Sequence, residues 1–218
     1  MLERILPPPA VVVSSEGDRE VELFPEEEEA LGRAVEKRRR EFVTARACAR
    51  EALSRLGLPA QPIPVGARGA PVWPAGIVGS ITHCAGYRGC AVARASELLT
   101  LGIDAEPDEP LPPGVLGDIA LAEEQDWIEE ARAAEPGRSW DRLLFSIKES
   151  VYKAWFPLTG SWLGFEDAAV SIDRTTGTFS ARLLVPGPTL GSGVLEGFVG
   201  RWGAAGGLLL SAIAVPAL

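Results

Sequence analysis

Gly102-Ile103-Asp104-Ala105-Glu106 closes an apolar run that begins at Leu98. The run has strand composition and ends in two carboxylates separated by one residue. Positions i and i+2 of an extended chain face the same side, so Asp104 and Glu106 present their oxygens together at a strand end. Mg²⁺ takes few protein carboxylates and keeps sites for water and substrate phosphates, so such a pair suits one edge of a metal site. The ordinary alternative is a solvated strand terminus.

Two further strand-like runs precede this one, Ile77 to Thr82 and Gly89 to Ala93, and the three are spaced as in an antiparallel sheet. Joining the first two is Gly79-Ser80-Ile81-Thr82-His83-Cys84-Ala85-Gly86-Tyr87-Arg88-Gly89, which holds the only histidine of the chain. Thr82, His83 and Arg88 supply donors for phosphate oxygens, while the small residues allow close approach. The spacing is neither that of a P-loop nor that of a dinucleotide-binding turn. A single histidine is more often structural than functional.

Further upstream, Pro25 and the glutamates after it read as a helix start, and Gly57 as its stop. Phe42, Ala45, Ala49, Leu53 and Leu56 give that region one buried face, with Arg46 and Arg50 projecting together from another. A Pro/Gly-rich loop from Pro59 to Gly76 carries Arg68 and Trp73. Downstream, Pro107, Pro110, Pro112 and Pro113 separate the first part from helical patterns at Val115 to Ala133 and Trp140 to Phe156. Strand patterns then recur at 168–172, 178–184, 194–202 and 208–215. Helix then strands, followed by helices then strands, predicts an α+β fold of two similar halves, 1–106 and 107–218.

The second helical pattern contains Phe145-Ser146-Ile147-Lys148-Glu149-Ser150-Val151-Tyr152-Lys153-Ala154-Trp155. Glu149 and Lys153 are four apart and share a face. An isolated pair of this kind is a surface contact worth about 0.2–0.5 kcal/mol. Here Phe145, Tyr152, Trp155 and Phe156 imply that much of the helix is packed, which puts the pair at a rim or cleft.

Composition narrows the function. At 218 residues and 46% hydrophobic, the chain can bury a substantial core. A net charge of −9 argues against a nucleic-acid partner. Seven of the 21 lysines and arginines nevertheless fall between Arg33 and Arg50, a concentration suited to a small phosphorylated ligand. No apolar stretch is long enough to span a bilayer, and no leader pattern is present, so the expected location is cytoplasmic, away from membranes. Cys48, Cys84 and Cys90 are expected to be reduced thiols, and a zinc site has too few ligands to draw on.

Taken jointly, these motifs resemble the Sfp/EntD-type 4′-phosphopantetheinyl transferases. The pattern Gly-Ile-Asp-x-Glu, followed about forty residues later by Phe/Trp-Ser-x-Lys-Glu-x-x-x-Lys, matches Gly102 to Glu106 and Phe145 to Lys153. Ser80-Ile81-Thr82-His83 matches as well. Arg38-Arg39, Glu41-Phe42, Cys48-Ala49-Arg50 and Trp73-Pro74 look like the actinobacterial enzymes of this class. The resemblance implies a pseudo-dimer of two α+β halves with coenzyme A in the cleft between them. The phosphopantetheine group would pass to a serine of an apo acyl or peptidyl carrier protein, releasing adenosine 3′,5′-bisphosphate.

By the same resemblance Asp104, Glu106 and Glu149 hold Mg²⁺, and oxygen ligands alone do not select strongly against Mn²⁺. The resemblance also implies that Glu149 is the general base, directly or through water, and that Lys153 assists the leaving group. Arg46, Arg50, Arg68, Thr82, His83 and Lys148 join Lys153 in gripping coenzyme A. Carrier proteins are usually acidic, as is this chain, so a local lip around Trp155 to Trp162 is expected to receive the carrier rather than long-range attraction. A monomer is expected, since such a fold contains its own pseudo-partner. Two other readings use the same residues: a metal-dependent coenzyme A pyrophosphohydrolase, which would need no carrier, and a non-catalytic coenzyme A-binding protein.

Overall fold

The computed structural model describes residues 1–191 and 193–217. In the first half, α2 (Glu36–Arg55) packs on a sheet of β1 (Val11–Ser15), β2 (Ile77–Cys84) and β3 (Tyr87–Arg94), in the order β1-β3-β2, and α1 (Pro25–Leu31) is tied to α2 through Glu27. The single helical region expected from Pro25 to Gly57 is broken at Gly32, whose φ of 51° ends α1. Phe42, Ala45, Ala49 and Leu53 of α2 are buried, as their spacing requires. Ala49 and Leu53 pack with Val13, Cys90 and Val92 of the sheet.

The second half places α3 (Leu116–Ile119), α4 (Ala122–Ala134) and α5 (Trp140–Thr159) against a five-stranded antiparallel sheet. Its order is β4-β10-β9-β6-β5, where β4 is Leu98–Pro107, β5 Ala168–Asp173, β6 Thr178–Leu183, β9 Gly197–Ala205 and β10 Leu208–Pro216. A short hairpin of β7 (Thr189–Leu190) and β8 (Gly193–Val194) stands apart. Trp140, fully buried at the start of α5, meets Trp127 and Trp202 edge-on at 5.6 and 5.5 Å. Each such pair adds about 0.5–1.5 kcal/mol beyond the area it buries and fixes where α5 begins.

β4 joins the halves. The sequence groups it with β2 and β3, but its hydrogen-bond ladder runs to β10 of the second half. Towards β2 there is no ladder. Instead the Ser80 and Thr82 hydroxyls accept the Ile103 and Ala105 amides at 3.1 and 3.0 Å. Both pairs advance together along the two strands, so β2 and β4 run parallel. The expected antiparallel trio is thus a β2–β3 hairpin with β4 bound beside β2 through side chains. Ser80-x-Thr82 has period two because both hydroxyls must face the same neighbour.

Each half also repeats one buried device. Glu27, third residue of α1, accepts the Phe24 amide at 3.0 Å and the Ile63 amide at 2.9 Å, and is paired with Arg46 and Arg50 of α2. Glu124, third residue of α4, accepts the Leu121 amide at 2.8 Å and the Val170 amide at 2.7 Å, and pairs with Lys148 of α5 at 2.7 Å. A glutamate that caps one helix therefore neutralises a cation on the next in both halves. The pseudo-dimer is visible here although the two halves do not repeat in sequence.

Candidate functional site

A cleft of about 680 Å³ lies where the two halves meet. α2 contributes Arg38, Phe42 and Arg46, the 65–73 loop contributes Arg68 and Trp73, and the β2 end contributes Thr82 and His83. Asp104 and Glu106 at the β4 end, with Phe145, Glu149, Tyr152 and Lys153 of α5, form the opposite wall. Gly102 explains how α5 comes so close. A methyl group there would collide with the Ser150 carbonyl oxygen and stand 2.9 and 3.0 Å from the Ala154 nitrogen and Cβ. Thr100 adds a bond from its hydroxyl to the Ala154 carbonyl at 2.9 Å. Glycine at this position thus lets Glu149 and Lys153, which alternate with Ser150 and Ala154 along the helix, reach the strand end.

Asp104 is buried. Its Oδ1 accepts from Lys153 Nζ at 2.6 Å and from the Thr82 hydroxyl at 3.1 Å, while Oδ2 is buried without a partner among the described residues. Lys153 Nζ also donates to the Ile103 carbonyl at 3.2 Å. Glu106 Oε2 accepts from Arg142 Nη1 at 3.0 Å. Burial, with the Asp104 charge second, pushes the Glu106 carboxyl up to about 7 against the pull of Arg142. Burial likewise raises the Glu149 carboxyl above its usual range, opposed by Lys153.

Among the described residues, no three His, Cys, Asp or Glu side chains stand close enough to enclose an ion. Lys153 and Arg142 engage Asp104 and Glu106 one by one instead. The donor set nevertheless fits a hard cation. A buried carboxylate oxygen lacks a partner, the neighbouring carboxyl is held near neutrality by desolvation and repulsion, and every donor is oxygen.

Three predicted contacts fall elsewhere. Arg50 does not line the cleft: it donates to the Glu22 carbonyl at 2.6 Å and to Glu27, and lies over the Phe24 ring. Lys148 is buried, donating to the Phe165 and Ala168 carbonyls at 2.7 and 3.1 Å besides its pair with Glu124. Arg88 turns to Asp18 at 3.2 Å. The cause is shared: each cation finds an internal acceptor distant in sequence. Thr82 lines the cleft, but its hydroxyl serves Asp104 and the Ala105 amide rather than open space. Arg46 does face the cleft. Burial pulls its guanidinium down to about 10, Glu27 opposing, so it stays charged at neutral pH.

Arg38 emerges as a cleft cation, with Nη1 2.8 Å from His83 Nε2. Because arginine only donates, Nε2 accepts, and burial together with Arg38 holds the imidazole below its usual range. Its place in the run Arg38-Arg39-Arg40 hid it, because spacing alone does not say which of three arginines turns inward. Arg68 has φ of 53° and stacks its guanidinium 5.3 Å from the Trp162 ring, linking the halves across the cleft mouth. Trp162 is 59% exposed, whereas Trp155 is core, so the expected lip narrows to its far end. A second cavity of about 240 Å³, lined by Leu163, Phe165, Trp162 and Tyr152, opens beside Glu149.

All three cysteines are free, and among the described residues no helix is long and apolar enough to cross a membrane. The 4′-phosphopantetheinyl transferase N-terminal domain family matches residues 26–93, and the 4′-phosphopantetheinyl transferase superfamily matches 100–190. The chain is 58% identical to 4′-phosphopantetheinyl transferase Svp of Streptomyces mobaraensis over 89% of its length and 79% of that protein's. It is 48% identical to Npt of Nocardia iowensis, covering 98% of this chain and 99% of the relative. Identity to PptT of Mycobacterium tuberculosis is 49%, over 87% and 85%. All three carry the same activity in their names, and neither the hydrolase nor the binding-protein reading finds support among them. The two matched segments supply the opposite walls of the cleft, and the chain belongs to the 4′-phosphopantetheinyl transferase superfamily.

Proposed function

We propose that the chain transfers the 4′-phosphopantetheine group of coenzyme A to a serine of an apo carrier protein, using the cleft between its halves. The observation that carries this is the facing of a phosphate-sized basic wall, Arg38, Arg46, Arg68 and His83, against the acidic strand end and Glu149. Nucleotide phosphates suit the first wall. Asp104, Glu106 and Glu149 would hold a divalent cation, Mg²⁺ or Mn²⁺. Such an ion neutralises charge that develops on a phosphate leaving group.

Glu149 accepts the proton of the attacking serine hydroxyl. The serine oxygen bonds to the pantetheine-side phosphorus while the bond from that phosphorus to the bridging oxygen breaks. Adenosine 3′,5′-bisphosphate leaves with the bridging oxygen, and Lys153, one turn from Glu149, stabilises its charge. The apolar cavity beside Glu149 suits the pantetheine arm. Exposed Trp162 suits contact with the carrier. We divide the chain into a nucleotide-gripping N-terminal half and a catalytic C-terminal half that meet along β4.

Carrier dependence tests this reading. Incubation with coenzyme A and Mg²⁺ should release adenosine 3′,5′-bisphosphate only when apo carrier is present, in equal amount to holo carrier formed. Release without carrier would establish a hydrolase instead.

A further inference from the structure

The geometry points to Arg142 as a positioning residue that orients Glu106 for the cation. This role rests on the reading of Asp104 and Glu106 as its ligands. Arg142 lies in the first turn of α5, two turns before Glu149 and three before Lys153, so the three share the helix face turned to the β4 end. Its guanidinium makes three separate contacts. Nη1 donates to Glu106 Oε2 at 3.0 Å, Nε to the Glu109 carbonyl at 3.1 Å and Nη2 to the Pro110 carbonyl at 3.1 Å. Two backbone acceptors therefore fix the plane of the fork, and the fixed fork aims a single oxygen of Glu106.

The two carboxylates are held alike. Asp104 is held through Oδ1 by Lys153 and Thr82, with Oδ2 buried and unpartnered; Glu106 is held through Oε2. In each, one oxygen takes a fixed donor, which sets the direction of the other. Orientation and charge predict opposite effects on metal binding. As a bare positive charge Arg142 would repel a cation, so its removal would tighten binding. As an orienting fork it helps, and a lysine cannot replace it, because one ammonium does not span two carbonyls and a carboxylate.

The test is calorimetric Mn²⁺ binding to the full-length, metal-free protein without coenzyme A, comparing wild type with Arg142→Lys, Arg142→Ala and Asp104→Asn. Circular dichroism checks that each is folded. Arg142→Lys and Arg142→Ala should both bind Mn²⁺ about 10- to 100-fold more weakly, as losses of ligand-orienting groups do. Adding Glu106→Gln to Arg142→Lys should cost much less than in wild type, because both changes act through one side chain. Wild-type affinity in Arg142→Lys, tighter binding in Arg142→Ala, or fully additive losses would overturn the proposal alone. A wild type that binds no Mn²⁺, or binds it equally well as Asp104→Asn, would overturn the reading of the site and this role with it.

Discussion

Gly102→Ala adds one methyl group where α5 crosses β4, and its cost can be worked from the contacts. The new carbon would stand 2.9 Å from the Ala154 nitrogen and overlap the Ser150 carbonyl. Ordinary contact needs about 3.5 Å, so α5 must retreat by about 0.6 Å at Ala154 and further at Ser150, or roughly 1 Å in all. Both obstructing groups are backbone, and neither can rotate away. Overpacking of this kind costs about 1–3 kcal/mol, which lowers the melting temperature of a chain this size by roughly 2–12 °C. Glu149 and Lys153 move with the helix, and if they act as proposed, a displacement of 1 Å costs about 100-fold in rate. Circular dichroism melting and turnover of coenzyme A with an apo carrier measure the two effects. A variant with wild-type kcat would contradict a role for this glycine in setting the distance between β4 and α5 that the proposed reaction needs.

Three other predictions concern individual charged side chains. Lys148→Met leaves Glu124 as a buried carboxylate without a counter-ion and should lower stability by about 3–5 kcal/mol in denaturant titration. Arg38→Ala should raise that Km about tenfold or more, the worth of a lost charge-assisted contact, whereas Arg50→Ala should lower thermal stability with little change in Km. The Glu106 carboxyl, raised to about 7 when metal-free, favours folding while protonated, and this contribution is lost as pH rises from the unfolded value towards 7. Mg²⁺ should relieve the charged form, so its effect on the melting temperature should be larger at pH 8 than at pH 6; an equal or reversed effect would contradict the assignment.

The strand that ends in Asp104 and Glu106 was legible because period two and a change from apolar to acidic residues suffice to place both carboxylates. The shared face of Glu149 and Lys153 was legible from helical spacing alone. Pairing was harder. Nothing local to β4 says that β10, about a hundred residues later, provides its ladder, or that Ser80 and Thr82 serve the other edge with hydroxyls. Arg50 and Lys148 show a different limit. Spacing gives the helix face on which a cation stands, but Glu27 and Glu124, buried caps of other helices, decide that those cations are internal. Arg38 was hidden for the reverse reason, as one of three consecutive arginines of which the fold turns a single member to His83.

In the proposed reaction the acidic end of β4 and the α5 face together move phosphopantetheine to a carrier serine. The most direct measurement is the intact mass of a purified apo carrier protein after incubation with coenzyme A, Mg²⁺ and either wild type or Asp104→Asn. One phosphopantetheine should be added by the wild type, and at most a trace by the variant, whose coenzyme A binding through the basic wall should persist. A carrier mass unchanged by the wild type across several carrier types, or raised equally by Asp104→Asn, would contradict the account.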